Sequence, residues 1–155
     1  MAFQIHALPA EPFNELFQMS DSDLCARNAR RVTVTAKPGT PCRVSLADAE
    51  VGETVILVHY EHQTAASPYR AGHAIFVREG VQQAHPAIGE VPEVLRSRLI
   101  SLRQFDDEGM MIDADVLEGK GLGAALITAF ENARTSYVHL HYAKPGCFAA
   151  RVTRA

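Results

Sequence analysis

Apolar and polar residues alternate along several short segments of this chain. A period of two predicts β-strands, because successive side chains of a strand point to opposite faces. The β-branched segment RRVTVTA predicts a strand over Arg31 to Ala36, and Thr54 to Tyr60 predicts a strong one. The pattern predicts about seven strands in all, among eight candidate segments at residues 3–8, 31–36, 54–60, 73–79, 99–105, 110–117 and in the two arms of a hairpin over 136–152.

Two or three segments have the spacing of an amphipathic helix instead. Phe13, Leu16 and Phe17 recur at helical intervals, and Ser20 or Asp21 can cap a second short helix. The clearest pattern is LEGKGLGAALITAFENAR, in which one apolar stripe comprises Leu122, Ala125, Leu126, Ala129, Phe130 and Ala133. These positions predict a helix that packs against the core.

Short turns join the neighbouring predicted strands, which favours antiparallel pairing with helices packed on the sheet. The predicted fold class is therefore α+β. A chain of 155 residues, 47% of them hydrophobic, is long enough for one core and short for two ordinary domains. We expect a single globular domain over residues 1–155.

Pro followed by Gly occurs in two copies of AKPG, at residues 36–39 and 143–146. This order predicts a type II turn, because Gly tolerates the positive φ of the third turn position. Cys42 follows the first turn and Cys147 the second. A third turn, DDEG, predicts a hairpin between residues 99–105 and 110–117.

The composition excludes several classes of protein. A net charge of -3 and a pI near 6.1 do not provide the basic surface of a sequence-independent nucleic-acid binder. The sequence lacks the roughly 20 consecutive apolar residues of a membrane helix and the order of a signal peptide, so we expect a cytoplasmic protein without membrane contact. The three cysteines show no pairing pattern, which predicts reduced thiols.

The entrance to the last predicted helix is similar to the pyrophosphate-binding loop of acyl-CoA-dependent N-acetyltransferases. Gly121 and Gly123 stand at the helix N-terminus, where free amides and the helix dipole bind phosphate groups. That pattern has Arg or Gln where this chain has Glu118. The next helix of that family also has no place here, since only AKPG separates the last two strands. Acyl-CoA binding is therefore an alternative, and a core helix is the simpler interpretation.

Tyr137, His139 and His141 share one face of a predicted strand, because their spacing is two. The two histidines can supply nitrogen ligands to a divalent metal ion, with a third ligand from His59, His62, His73 or a cysteine. No acidic residue stands near them in the sequence. Metal binding is thus a second alternative, and hydrogen-bonded histidines are the simpler interpretation.

Cys42 and Cys147 are candidate nucleophiles. Cys42 stands beside Arg43, and Cys147 follows the His-x-His strand. A neighbouring cation lowers the pKa of a thiol and increases its reactivity. The simpler interpretation is a pair of small buried residues at strand ends.

Arg43 and Arg70 are candidates for binding a carboxylate or phosphate, because a guanidinium donates two parallel hydrogen bonds to such groups. Tyr69 and His73 stand next to Arg70 in the sequence and add further donors. The alternative for both arginines is ordinary surface charge.

The segments TPCRVSLADAEVGETVILVHYEHQTAASPYRAGHAIFVRE and YVHLHYAKPGCFAARVTRA resemble a bacterial family known as domain-of-unknown-function family 1203. The likeness covers nearly the whole chain, and PCR, SPYR, HAIFVRE and PGCFAARV are its most recognisable parts. The resemblance implies a soluble bacterial single-domain protein and carries no established activity. Those parts include Cys42, Arg43, Ser67, Pro68, Tyr69, Arg70, His73, Gly146 and Cys147.

The leading hypothesis is a pocket for an anionic small molecule, formed by residues 41–43, 67–73 and 139–147. Its predicted ligand-binding residues are Arg43, Tyr69 and Arg70, and its predicted acids, bases and nucleophiles are Cys42, His73, His139, His141 and Cys147. The competing hypothesis is a non-enzymatic interaction module. The sequence indicates no substrate and no cofactor, and it leaves both catalysis and a homo-oligomer open.

Overall fold

The computed structural model describes residues 2–155. The strands of these residues are β1 (Phe3–His6), β2 (Ala29–Thr33), β3 (Thr54–Gln63), β4 (Ala71–Arg78), β5 (Leu99–Phe105), β6 (Met111–Glu118), β7 (Tyr137–Tyr142) and β8 (Phe148–Arg154). The α-helices are α1 (Glu11–Asn14), α2 (Asp21–Ala26), α3 (Glu93–Arg96) and α4 (Leu122–Glu131). Single turns of 3-10 helix lie at Glu15–Gln18 and Gly119–Gly121.

The strands form two antiparallel sheets, so the predicted α+β class is confirmed. One sheet has five strands in the order β1-β8-β7-β5-β6, and the other has three in the order β2-β3-β4. The pairs β5–β6 and β7–β8 are the two hairpins that the alternation predicts. The described chain has eight strands and four α-helices, slightly more than predicted, and α3 is the helix that the pattern does not reveal.

The chain divides into two compact units. Unit 1 comprises the residues up to His6, Glu61–His73 and His85–Ala155, and unit 2 comprises Ala7–Tyr60 and Ala74–Ala84. One domain over residues 1–155 therefore stays a prediction.

Unit 1 contains the five-stranded sheet, one face of which is apolar. Val138 and Leu140 of β7 are fully buried on this face, and Leu102 of β5 pairs directly with Leu140. The buried residues of α4 are Leu122, Leu126, Ala129 and Phe130, which confirms most of the predicted stripe. Ala133 is exposed, because α4 ends two residues earlier at Glu131, and that part of the prediction is wrong.

Unit 2 contains the two N-terminal helices and most of the three-stranded sheet, whereas residues 61–63 of β3 and 71–73 of β4 belong to unit 1. Ser20 caps α2 as predicted, since its Oγ accepts the backbone N–H of Asp23 at 3.2 Å. Leu24 then points into the core and is fully buried. The buried cluster of this unit consists of Phe13, Leu16, Leu24, Ala29, Cys42, Val44, Ile56, Val58, Ile75 and Val77.

The two AKPG sequences adopt different backbone conformations. Gly146 has a φ of +81°, as a type II turn requires, and this turn joins β7 to β8. Gly39 is not among the glycines with positive φ, so the type II prediction is wrong for residues 36–39. The difference arises because residues 143–146 close a tight hairpin, whereas residues 36–39 lie in a longer connection between β2 and β3.

Candidate functional site

The polar face of β7 has the composition that the alternation predicts. The ring centroids of Tyr137 and His139 are 5.2 Å apart, and those of His139 and His141 are 6.4 Å apart. On the neighbouring strand β5, Arg103 pairs with His139 and Ser101 pairs with His141. Directly paired residues of antiparallel strands point to the same side of a sheet. Arg103 therefore lies on the same side as the two histidines.

Strand β8 extends this side of the sheet, because Phe148 pairs with His141 and Arg151 with His139. We call this side the histidine face, and its central residues are Ser101, Arg103, Phe105, Tyr137, His139, His141, Phe148 and Arg151. Strands β1, β5, β7 and β8 contain neither Asp nor Glu. The four strands thus contribute cations to the histidine face and no carboxylate.

His141 is a buried imidazole with a protein neighbour at each ring nitrogen. It is 1% exposed, and its Nδ1 lies 3.0 Å from the carbonyl oxygen of Gly146. A carbonyl only accepts hydrogen bonds, so Nδ1 carries the hydrogen and donates it. Nε2 is then bare and faces Nη1 of Arg103 at 3.5 Å. Burial is the main cause that lowers the pKa of His141 to about 3, and Arg103 lowers it further.

His139 is buried with one nitrogen unused. The side chain is 3% exposed, and no hydrogen-bond partner for Nδ1 exists among residues 2–155. Burial lowers the pKa of His139 to about 3, and the neighbouring His141 and other cationic or imidazole side chains lower it further. A buried polar atom left without a partner costs about 1–3 kcal/mol. A group bound next to Nδ1 would recover part of that cost.

His62 of β3 adds a third imidazole to the group. Its ring centroid lies 4.8 Å from that of His141, and its ring stacks on Phe148 at 5.4 Å with an interplanar angle of 9°. From the sequence, His62 is only one of several candidates for a third histidine beside His139 and His141, because β3 lies far from β7 along the chain. The contact between His62 and His141 becomes apparent only in the folded structure.

Arg103 is the residue of this site that the sequence pattern does not single out. Its Nε donates to Oγ of Ser101 at 3.1 Å, and its side chain is half-buried. Within the described part of the chain, no carboxylate forms an ion pair with it. Burial lowers the pKa of Arg103 below its ordinary value. The signal that identifies Arg103 is its pairing with His139, which only the sheet register reveals.

Both ring nitrogens of His141 lie against protein groups that disfavour a metal ion. Among residues 2–155, no group of three or more His, Cys, Asp or Glu side chains is arranged to hold a metal ion. The physical reason is visible at His141, where one nitrogen bonds the Gly146 carbonyl and the other faces a guanidinium. A cation at Nε2 would be repelled by Arg103.

Tyr69 contacts the histidine face from the predicted segment 67–73. Its ring meets that of Phe105 edge to face, with centroids 6.1 Å apart. Ser67 anchors the segment, because its Oγ donates to the carbonyl oxygen of Gly109 at 2.8 Å. His73 is half-buried and is one of the side chains that lower the pKa of His141.

Arg70 belongs to the same segment, but it already has a carboxylate partner. Its Nε lies 2.6 Å from Oε1 of Glu61, and its Nη1 donates to the carbonyl oxygen of Thr64 at 3.2 Å. The side chain is 56% exposed. Its predicted role in anion binding stays a prediction.

Cys42 and Arg43 lie in unit 2. Cys42 is fully buried, and its Sγ accepts the backbone N–H groups of Ser45 at 3.4 Å and Arg78 at 3.3 Å. Arg43 is 1% exposed, and its Nη1 donates to the carbonyl oxygen of Pro41 at 2.5 Å. Burial in a packed core makes a thiol inert. Both residues therefore hold their own loop in place, and their roles in chemistry stay predictions.

Cys147 follows the β7–β8 turn and is 7% exposed. Its carbonyl oxygen accepts the backbone N–H of Tyr142 at 2.9 Å, which closes the hairpin. In the same turn, the carbonyl oxygen of Gly146 accepts the hydrogen bond from His141. The role of Cys147 as a nucleophile likewise stays a prediction.

One glycine of the glycine-rich entrance to α4, Gly119, is required by packing. A Cβ on Gly119 would lie 1.9 Å from the carbonyl oxygen of Leu95, so the close approach of α3 requires Gly there. At Gly121 and Gly123 the nearest atom to such a Cβ is 3.8 Å away. Glu118 ends β6 directly before this entrance. Packing therefore explains Gly119 but not Gly121 or Gly123, and acyl-CoA binding at this entrance stays an alternative.

A family model described as "Protein of unknown function (DUF1203)" matches residues 39–154. The chain belongs to this family. The match includes every site residue predicted from the sequence, together with Arg103 and His62, so the histidine face lies within the shared region of DUF1203. No curated protein and no solved structure matches the chain.

The four α-helices of residues 2–155 are short, and none of them is long and apolar enough to cross a membrane.

Proposed function

We propose that this DUF1203 protein binds a small anionic molecule at the histidine face, through the guanidinium of Arg103. The observation that carries this proposal is a half-buried arginine that has no carboxylate partner in the described chain and faces a neutral histidine. Removing a charge from water without a counter-charge is unfavourable. An anion beside Arg103 would remove that cost.

The surroundings of Arg103 favour a negative ligand. The side chains that lower the pKa values of His139 and His141 are arginines and other histidines. Arg151 pairs with His139 across the sheet and adds a second positive charge. A surface lined by one sign of charge attracts molecules of the opposite sign.

The geometry suggests a distinct role for each central side chain. Arg103 would donate charge-assisted hydrogen bonds to the anion, and His139 would offer its unused Nδ1 to an oxygen of the ligand. His141 would orient Arg103 through the contact at its Nε2. Tyr69 and His73 would contribute at the margin. Cys42, Arg43, Arg70 and Cys147 have the protein contacts described above, and the proposed site does not depend on them.

Titration calorimetry with sulfate, inorganic phosphate and succinate tests the proposal. We expect saturable binding of at least one of these anions by the intact protein. Losing a charged hydrogen-bond donor costs about 1.5–3 kcal/mol, so Arg103→Gln should weaken binding roughly 10- to 100-fold. Arg134→Gln is the matched control, because the Arg134 side chain is 73% exposed and lies outside the histidine face.

Two results would contradict anion binding at Arg103. One is the absence of saturable heat with all three anions. The other is an equal loss of affinity in Arg103→Gln and Arg134→Gln, since that would indicate a general charge effect.

We also propose that the protein works in the cytoplasm. Cys25, Cys42 and Cys147 form no disulfide among the described residues, as expected in a reducing compartment. Thiol counting under denaturing conditions, on protein taken directly from its source cells, should find all three cysteines reduced. A disulfide in that material would contradict the assignment.

A further inference from the structure

The histidine face places two buried, uncharged imidazoles beside an arginine. His141 donates from Nδ1 to Gly146, and its Nε2 faces Arg103. His139 pairs with Arg103 across the sheet and has a buried Nδ1 that meets no hydrogen-bond partner within residues 2–155. Without a bound anion, a proton on either ring would add a second positive charge next to Arg103. Both rings are therefore neutral until a negative charge arrives.

We propose that binding of an anion at Arg103 is coupled to the uptake of one proton from solvent by the imidazole of His139. This inference rests on the proposed function. The ligand contributes a negative charge, and a proton from solvent contributes a positive one. The imidazole gains its second N–H, Nδ1–H donates to an oxygen of the anion, and no covalent bond of the ligand is broken.

His139 is the acceptor of the proton because of what the two rings face. The bare nitrogen of His141 points to Nη1 of Arg103, and a proton there would set one donor against another. Nδ1 of His139 has no hydrogen-bond partner in the described residues. A proton placed on this nitrogen can thus be donated to the ligand.

The groups around His139 come from four strands, and none of them is a carboxylate. Strand β5 contributes Arg103, β7 contributes Tyr137 and His141, β8 contributes Phe148 and Arg151, and β3 contributes His62. The low pKa of His139, about 3, agrees with this environment. An anion would counteract both of its causes, since it replaces lost hydration and offsets the neighbouring cations.

Sulfate is the probe with which proton uptake by the protein can be measured separately from proton uptake by the ligand. It has no titrating proton of its own between about pH 5 and 8, where unperturbed histidines titrate. We expect sulfate affinity to increase up to about tenfold for each unit by which pH falls within this range. Calorimetry in two buffers with different ionisation enthalpies should also show net proton uptake on binding.

His139→Gln removes the proton acceptor and keeps a polar side chain. It should bind sulfate with little dependence on pH, whereas His85→Gln, a change at an exposed histidine, should keep the full dependence. Because His139→Gln could fail to fold, nitrogen NMR of the His139 ring in the unaltered protein provides a second measurement. At pH 6, the ring should change from neutral to protonated when sulfate is added.

The outcomes separate this inference from the function on which it rests. Sulfate binding that is independent of pH, with a His139 ring that stays neutral, overturns proton uptake and leaves anion binding intact. A pH dependence that survives in His139→Gln overturns the assignment to His139. Absence of saturable binding of sulfate, phosphate and succinate by the unaltered protein overturns the proposed function itself.

Discussion

Arg78 of unit 2 and Arg103 of unit 1 are both half-buried arginines on β-strands, but their partners differ. Arg78 forms two hydrogen bonds with one carboxylate, from Nε to Oε2 of Glu53 at 2.8 Å and from Nη2 to Oε1 at 2.7 Å. The hydrogen bond with Arg78 is the main cause that lowers the pKa of Glu53, and it also raises the pKa of Arg78. Arg103 has a hydroxyl and an imidazole instead, and burial lowers its pKa.

Under the proposed function, the same residue type serves folding in one place and recognition in another. A guanidinium that is paired within its own unit strengthens the fold and has little left to offer a ligand. A guanidinium without a counter-charge weakens the fold and gains from binding an anion. The following predictions test that distinction.

The largest expected effect is a loss of stability at mildly acidic pH. The folded protein holds the pKa values of His139 and His141 at about 3, whereas an ordinary histidine has a pKa of 6.5. Below pH 6.5 the unfolded chain binds more protons than the folded protein, so the free energy of unfolding decreases until the folded pKa is reached. Between pH 7 and 5 we expect a loss of about 2 kcal/mol for each histidine, measured by urea unfolding followed by circular dichroism.

The same experiment separates the two regions. The pKa of Glu53 is lowered from 4.5, so its contribution to stability is lost only as pH falls below that value through its folded pKa. A change in the free energy of unfolding above pH 4.5 therefore reflects the protonation of histidines and not of Glu53. His139→Gln should remove about half of the dependence, and His85→Gln, at an exposed site, should leave it unchanged. Equal slopes in both variants would show that the folded protein does not hold His139 neutral.

The next effect in size concerns the pair in unit 2. Glu53→Gln leaves Arg78 without its carboxylate in a site where the two side chains are 28% and 18% exposed. We expect a loss of about 1–3 kcal/mol at pH 7, less than for a fully buried pair because water still reaches these atoms. Glu79→Gln, at an exposed position one residue beyond β4, is the control. Urea midpoints that coincide for the two variants would contradict a stabilising role of the pair.

The sequence predicts the hairpins of unit 1 well, because alternation alone sets which residues share a face. It correctly places Tyr137, His139 and His141 together, and it locates β5 without error. It does not reveal α3, since four residues are too few to establish a helical period. It also places the strand of 31–36 too late, because pairing with β3 defines β2 as Ala29–Thr33.

The candidate site is only partly readable from the sequence, for a related reason. Arg103 and His62 approach His139 and His141 through contacts between strands that lie far apart in the chain. Local patterns carry no information on such pairing. Conversely, Cys42 beside Arg43 is the local pattern of a reactive thiol, but packing buries both residues. Arg70 is a second example. Its salt bridge with Glu61 cannot be predicted from the segment SPYR, which does not contain Glu61.

The smallest expected effect completes the comparison of the two arginines. Arg103→Gln removes an unpaired, half-buried charge, so without anion the free energy of unfolding should change by no more than about 0.5 kcal/mol, or increase. Arg78→Gln should instead lose about 1–3 kcal/mol, because Glu53 then loses both of its hydrogen bonds. Added sulfate should raise the urea midpoint of Arg78→Gln as it does for the unaltered protein, and should have little effect on Arg103→Gln. If both variants lose the same stability and both still respond to sulfate, Arg103 is a structural arginine like Arg78, and the distinction between the two regions is wrong.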